Sequence, residues 1–237
     1  MGRLRAVFFD MGGTLLDEKT DKSSHILVLE AARARFGLDI PAVELHDRIV
    51  TYLKKFEPSQ VQHWKPILGL TEEAFREQMA RMGIDISNRD SEWFLKTYKA
   101  IYRKGVRMTA GAMDVLRGAK LLGLHVGILS DVDEEWAGML TDTLRIRPLL
   151  DSITTSEAVG VGKPNPKMFY AALKKSRCDA GDAILVGDSL ERDIRGAKAV
   201  GMKAAHLASA PSAEADYQLR SMAELLPILR TLTGAGT

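Results

Sequence analysis

The pattern that most constrains this chain is a short apolar run that stops abruptly at small or acidic residues and then gives way to a stretch of helical period. Five such runs occur, at Ala6–Phe9, His125–Leu129, Ser152–Thr154, Ala183–Val186 and Ala204–Leu207. Runs this short, bounded this sharply, read as buried strands. Between them Met113, Leu116, Ala119 and Leu121 fit one face of a helix, and Met168, Phe169, Ala172 and Leu173 fit another. Strands alternating with helices at this spacing require parallel pairing through crossover helices, which predicts an α/β fold with a doubly wound parallel sheet. Such a sheet binds its ligand beyond the carboxyl ends of its strands. The acidic residues that end these runs are therefore the first candidates for chemistry.

One block breaks the alternation. From Leu15 to about Arg107 there is no strand pattern, and the chain reads as consecutive helices over roughly His25–Phe36, Val43–Phe56, Thr71–Met82 and Ser91–Arg103. Thr71 is the expected N-cap of the third, with Glu72 and Glu73 in its first turn, where the helix dipole favours acids. Gly37–Pro41 and Glu57–Pro66 are the expected inter-helix turns. This predicts an all-helical insertion, residues 17–106, in an α/β core made of residues 1–16 and 107–237. A last helix is expected over Met222–Leu232, kinked or shortened by Pro227, with a frayed end at Gly234–Thr237.

Composition narrows the function classes. Hydrophobic residues make up 46% of the 237, enough for a substantial core, and 33 Lys+Arg against 31 Asp+Glu leave a charge of only +2 with no basic run, which argues against a nucleic-acid partner. No apolar stretch is long enough for a membrane span or a signal core. The single cysteine, Cys178, cannot pair within the chain, so a cytoplasmic setting is expected and the thiol is read as structural or incidental. Nothing in the sequence fixes the oligomeric state.

Four short segments carry candidate chemistry. The first strand ends in Asp10-Met11-Gly12-Gly13-Thr14, placing a carboxylate in a glycine turn whose amides can face an anion. The second ends in Ser130-Asp131, offering a hydroxyl to a phosphate oxygen. The third is Gly160-Val161-Gly162-Lys163-Pro164-Asn165-Pro166, a loop pinned by Gly and Pro that holds Lys163 in place, where it can neutralise an anionic nucleophile and substrate. The fourth empties a buried run into Gly187-Asp188-Ser189-Leu190-Glu191-Arg192-Asp193, two carboxylates suited to an oxygen-loving Mg²⁺. Taken singly each has a commoner reading: a tight turn, a local cap, a surface lysine, or Asp188 or Ser189 as an N-cap. Taken together, in this order at the ends of parallel strands, they converge on one crevice.

In these four segments, and across essentially its whole length, the chain resembles the haloacid dehalogenase-like hydrolase superfamily, whose motifs occur in this order. The insertion after Leu15 looks like that family's helical cap, and Asp216-Tyr217-Gln218-Leu219 looks like a family ending. The resemblance implies that Asp10 is the nucleophile, forming an aspartyl-phosphate, and that Lys163 offsets the charge of two anions brought together. It implies Mg²⁺ held by Asp10, the Gly12 carbonyl and Asp188, with Asp193 supporting the metal or orienting Lys163. Ser130, Asp131 and the amides of Gly12 and Gly13 are the implied phosphate-binding groups. The implied partner is a small phosphorylated metabolite.

The chain departs from that family at one position. Phosphatase members usually carry a second Asp two residues after the nucleophile, as general acid and then base, a role worth roughly 10²–10⁴-fold; here the residue is Gly12. Three readings follow: substrates whose leaving groups need no proton, such as acyl or aryl phosphates; a substitute among Asp17, Glu18, Asp131, Asp133, His25 and His63; or phosphoester binding with little turnover. Dehalogenase members also lack the second Asp, but their fourth motif has less metal-binding character than Gly187-Asp188 with Asp193. Trp64 and Lys65, beside His63, are weaker candidates for substrate contact, and Arg192 takes no role.

Overall fold

The computed structural model describes residues 3–210 and 212–235. At its centre β1 (Ala6–Phe9) is wholly buried. Its odd and even side chains serve two different cores. Val7 and Phe9 join one hydrophobic cluster, and Ala6 and Phe8 join the other, as a strand with helices on both faces requires.

The insertion follows as α1 (Glu18–Phe36), α2 (Ala42–Lys54), a short α3 (Glu57–Gln60), α4 (Ile67–Arg81) and α5 (Asn88–Gly105). The chain then returns through α6 (Ala112–Leu121), β2 (His125–Ser130), α7 (Glu134–Thr143), β3 (Ser152–Thr155), α8 (Ser156–Val159) and α9 (Pro166–Ser176). It ends with β4 (Ala183–Gly187), α10 (Gly196–Ala199), β5 (Lys203–Leu207), β6 (Tyr217–Leu219) and α11 (Leu225–Thr233). The six strands are parallel, in the order β3-β2-β1-β4-β5-β6. Phe9 pairs with Ile128 of β2 on one side and Val186 of β4 on the other. The chain winds outward from β1 in both directions, so the topological switch point lies between β1 and β4, and their carboxyl ends define the crevice.

All five expected strands form, along with a sixth, β6, which pairs with β5. The insertion is helical throughout, but its boundaries shift. Asp17 caps α1 by accepting from Thr20 N (2.9 Å), and a reciprocal Ser87–Asp90 capping box starts α5 three residues before the expected Ser91. Thr71 is not an N-cap: α4 starts at Ile67, after Pro66, and the Thr71 hydroxyl donates back to Ile67 O. The expected turn Glu57–Pro66 contains α3. Phe75 of α4 and Phe94 of α5 stack with ring centroids 4.0 Å apart, fixing the two helices, and both belong to the cluster that runs down to Val7 and Phe9. Pro227 sits in the first turn of α11, where its missing N–H costs nothing, and leaves the helix unbroken. Gly234 ends α11 in the left-handed conformation; of the expected frayed end, Gly236 and Thr237 lie outside the described residues. No helix among the described residues is long and apolar enough to cross a membrane.

Candidate active site

β1 delivers Asp10 to the switch point, where its N–H donates to Val186 O of β4 (2.9 Å). The chain then makes a wide turn, closed by Leu16 N–H on Met11 O (2.8 Å). Gly13 is required twice over in this turn. Its φ is +66°, and a Cβ there would lie 2.5 Å from Asp188 Oδ2. The missing side chain lets the Asp10 turn close onto the end of β4. Gly12 is different, with φ of −65° and nothing within 4 Å of the place a Cβ would occupy. Neither strain nor crowding excludes a side chain at position 12.

Lys163 is 3% exposed, and its Nζ lies 2.9 Å from Asp10 Oδ1 and 2.5 Å from Asp193 Oδ1. Burial alone would pull the ammonium down, but Asp10, Asp193 and Asp131 outweigh it and hold Lys163 above its ordinary range, firmly charged. Burial pushes Asp193 up despite the lysine beside it. Both Asp193 oxygens are engaged, since Oδ2 accepts from Ser189 N (3.0 Å). The close approach of Asp193 depends on Gly187, where a Cβ would fall 2.3 Å from its carboxyl carbon. Asp131 fixes the lysine loop: its Oδ1 accepts from Lys163 N (2.8 Å) and from the Ser156 hydroxyl (2.6 Å).

Asp10, Asp188 and Asp193 each offer an oxygen within 4.8 Å of the others. Asp188 is raised by burial first and by repulsion from Asp10 second, and the Thr14 hydroxyl lies 3.4 Å from its Oδ1. Carboxylates crowded against one another, with one ammonium among them and a glycine cradle shaped around Asp188, are an all-oxygen donor set that fits Mg²⁺.

Comparison with known proteins gives the chain a family. The sequence profile described as a hydrolase, haloacid dehalogenase-like, matches residues 4–201. The chain belongs to the haloacid dehalogenase-like hydrolase family. Among curated proteins it is 27% identical to a glyceraldehyde 3-phosphate phosphatase of Pyrococcus furiosus over 99% of this chain and 97% of that one. It is 35% identical to the human haloacid dehalogenase-like hydrolase domain-containing protein 3, over 53% of each. Among solved structures, the magnesium-bound HAD-hydrolase YfnB of Bacillus subtilis superposes with a TM-score of 0.78 at 19% identity, covering 97% of this chain and all of that one. The defluorinating L-2-haloacid dehalogenase Rha0230 reaches 0.80 at 19% identity, covering 96% and 95%. At these identities the likeness is one of fold.

In this hydrolase the helical cap and the core enclose two neighbouring spaces, both bordered by Ile67 and Asp131. A cleft of about 460 Å³ runs from Lys163 and Arg192 to Leu53, Lys54 and Trp64 of the cap. A cavity of about 220 Å³ reaches from Gly12 and Ser130 to His25, Tyr98 and Trp136. Of the substitutes weighed for a missing acid, three are already committed. Asp17 caps α1, Asp131 holds the lysine loop, and buried Asp133 caps α4 by accepting from Ile67 N (2.8 Å) and Leu68 N (3.0 Å). Glu18 and His63 line neither space, nor does Lys65, whereas Trp64 lines the cleft. Sequence reasoning passed over Thr14, beside Asp188, and Arg192. Desolvation works against the charge of the exposed Arg192, but Asp131, Asp10, Asp193 and Asp188 outweigh it. Among the described residues no carboxylate lies within 4.0 Å of its guanidinium, which therefore enters the cleft without an ion-pair partner. Its signal in sequence was only a cation between two acidic positions of a motif.

Proposed function

We propose that this hydrolase is a Mg²⁺-dependent phosphohydrolase that acts through an aspartyl-phosphate at Asp10 on a small phosphorylated metabolite. We divide it accordingly into a core of residues 1–16 and 107–237 and a cap of residues 17–106. The observation that carries the reading is the grouping of Asp10, Asp188 and Asp193 around Lys163 at the switch point. That trio favours phosphorus over a carbon–halogen substrate, because a carbon ester needs no cluster of metal-binding carboxylates.

Asp10 attacks phosphorus while Lys163, fixed between Asp10 and Asp193, offsets the negative charge of nucleophile and phosphoryl group. Ser130, buried at the end of β2, and the Gly12 and Gly13 amides receive the phosphoryl oxygens. Asp10, Asp188 and the Gly12 carbonyl would hold Mg²⁺, with Asp193 behind them; the ion supplies charge neutralisation at the phosphoryl oxygens. Closure of the cap over the cleft excludes water from the first transfer.

The test is phosphate release, with and without Mg²⁺, from glyceraldehyde 3-phosphate, a panel of alkyl and aryl phosphates, and acetyl phosphate, with 2-chloropropionate as the dehalogenase control. Mg²⁺-dependent release from at least one phosphate is expected. Halide release with no phosphate release overturns the proposal, and binding of phosphates without turnover supports a binding protein instead. Arg192 is placed to meet the bound anion from the cleft. Arg192→Met is expected to raise KM roughly ten-fold, the loss of about one charged hydrogen bond, with the melting temperature unchanged. An unchanged KM removes Arg192 from the site.

A further inference from the structure

Resting on the phosphohydrolase reading, we propose that His25 of the cap is the general acid that protonates the leaving oxygen, replacing the carboxylate absent at Gly12. Gly12, Ser130 and His25 all line the cavity beside the nucleophile's turn, and Gly12 has no side chain to divide it. On this proposal the leaving group enters that space past Gly12 and Ser130, the groups assigned to the phosphoryl oxygens. The aromatic side chains of Tyr98, Tyr102 and Trp136 line it as well.

The imidazole is held as a proton donor must be. Its Nδ1 is hydrogen-bonded to the Tyr98 hydroxyl. Burial first and Asp21 second hold that phenol protonated, so its oxygen accepts from Nδ1–H both in the imidazolium and in the neutral ring left when Nε2 gives up its proton. Nε2 lies 3.6 Å from Asp21 Oδ2, too far for a hydrogen bond that would occupy its proton. The other groups packed on the ring are His46 of α2, at 6.0 Å between centroids, and Tyr102 of α5, at 5.2 Å. The remaining acidic candidates are each bound to backbone N–H groups or lie outside the cavity.

The step balances without any further reactant. Asp10 forms a bond to phosphorus, the bond from phosphorus to the leaving oxygen breaks, and the proton passes from Nε2 to that oxygen. An alcohol and a neutral imidazole result. When water then attacks the aspartyl-phosphate, its proton returns the ring to the imidazolium, and phosphate leaves with Asp10 regenerated.

The experiment compares wild type with His25→Gln on glycerol 3-phosphate, whose alkoxide needs a proton, and on acetyl phosphate, whose acetate does not. It reads kcat/KM, which reports the first transfer and not the later hydrolysis. His25→Gln is expected to lose about 10²-fold on the alkyl ester and less than about 3-fold on acetyl phosphate. Adding Gly12→Asp to His25→Gln is expected to restore the alkyl activity, a rescue that a packing role would not permit. Tyr98→Phe, which keeps the ring packing, is expected to show a smaller loss confined to the alkyl ester. Equal losses on both substrates, or none on the alkyl ester, would overturn the assignment to His25 alone. Failure of the wild type to release phosphate from these two substrates and from every other phosphate of the panel would overturn the phosphohydrolase reading and this inference with it.

Discussion

Asp10→Asn is expected to abolish phosphate release, by about 10⁴-fold or more, without loss of fold. The magnitude is that of removing a nucleophile from a site whose parts act as a unit. The amide keeps the shape of the carboxylate and loses its charge, so the Lys163 ammonium retains Asp193 at 2.5 Å as its partner. Asp188 gains from the change, because Asp10 is, after burial, the main influence raising its pKa. A carboxyl group whose folded pKa lies above its unfolded value costs stability as pH rises through that interval. The relief at Asp188 should therefore offset part of the lost Lys163–Asp10 attraction, and the variant's Tm should rise relative to wild type as Asp188 becomes ionised. Rapid-mixing assays together with calorimetry check both halves. Residual activity above about one per cent of wild type would mean that another group attacks phosphorus.

How much of this was legible in the sequence depended on where each interaction's partner lay. Ala6–Phe9 followed by Asp10 could be read directly, because a buried strand and the carboxylate it delivers are contiguous. The doubly wound sheet followed from the same alternation repeated along the chain. β6 escaped because Tyr217–Leu219 is three residues long and has no period to detect. The start of α4 was misplaced for a physical reason. Its N-terminal amides are capped by Asp133, sixty-six residues away along the chain, so Thr71 offered the nearer and wrong signal. Asp131 and Asp133 look alike in sequence as candidate acids, and only their hydrogen bonds show one holding the lysine loop and the other holding a cap helix. At position 12 the sequence records an absence. The structure adds that the vacant space is continuous with a cavity reaching His25.

Lys163→Met carries the second large effect, on stability as much as on activity. In wild type the ammonium's pKa is raised, so the lysine stays charged at and below neutral pH and loses its proton only at strongly alkaline pH. Methionine nearly matches the stem's volume but leaves Asp10 and Asp193 facing each other with no cation between them. Breaking a buried pair by removing one partner costs about 3–5 kcal/mol. For a chain of this size each kcal/mol lowers Tm by roughly 2–4 °C, so the variant should melt roughly 6–20 °C lower near neutral pH. The loss must depend on pH in a definite direction. Burial already raises Asp193 in wild type, and without Lys163 it rises further, so acid neutralises the orphaned charge in the variant while gaining nothing comparable in wild type. The gap in Tm should therefore narrow as pH is lowered from about 8 to about 5. Phosphate release should fall by about 10²–10³-fold where the variant remains folded, the loss of one preorganised charge at the phosphoryl group. A Tm gap of constant size across that range would show that the lysine contributes through packing, and the electrostatic account of the site would then be wrong.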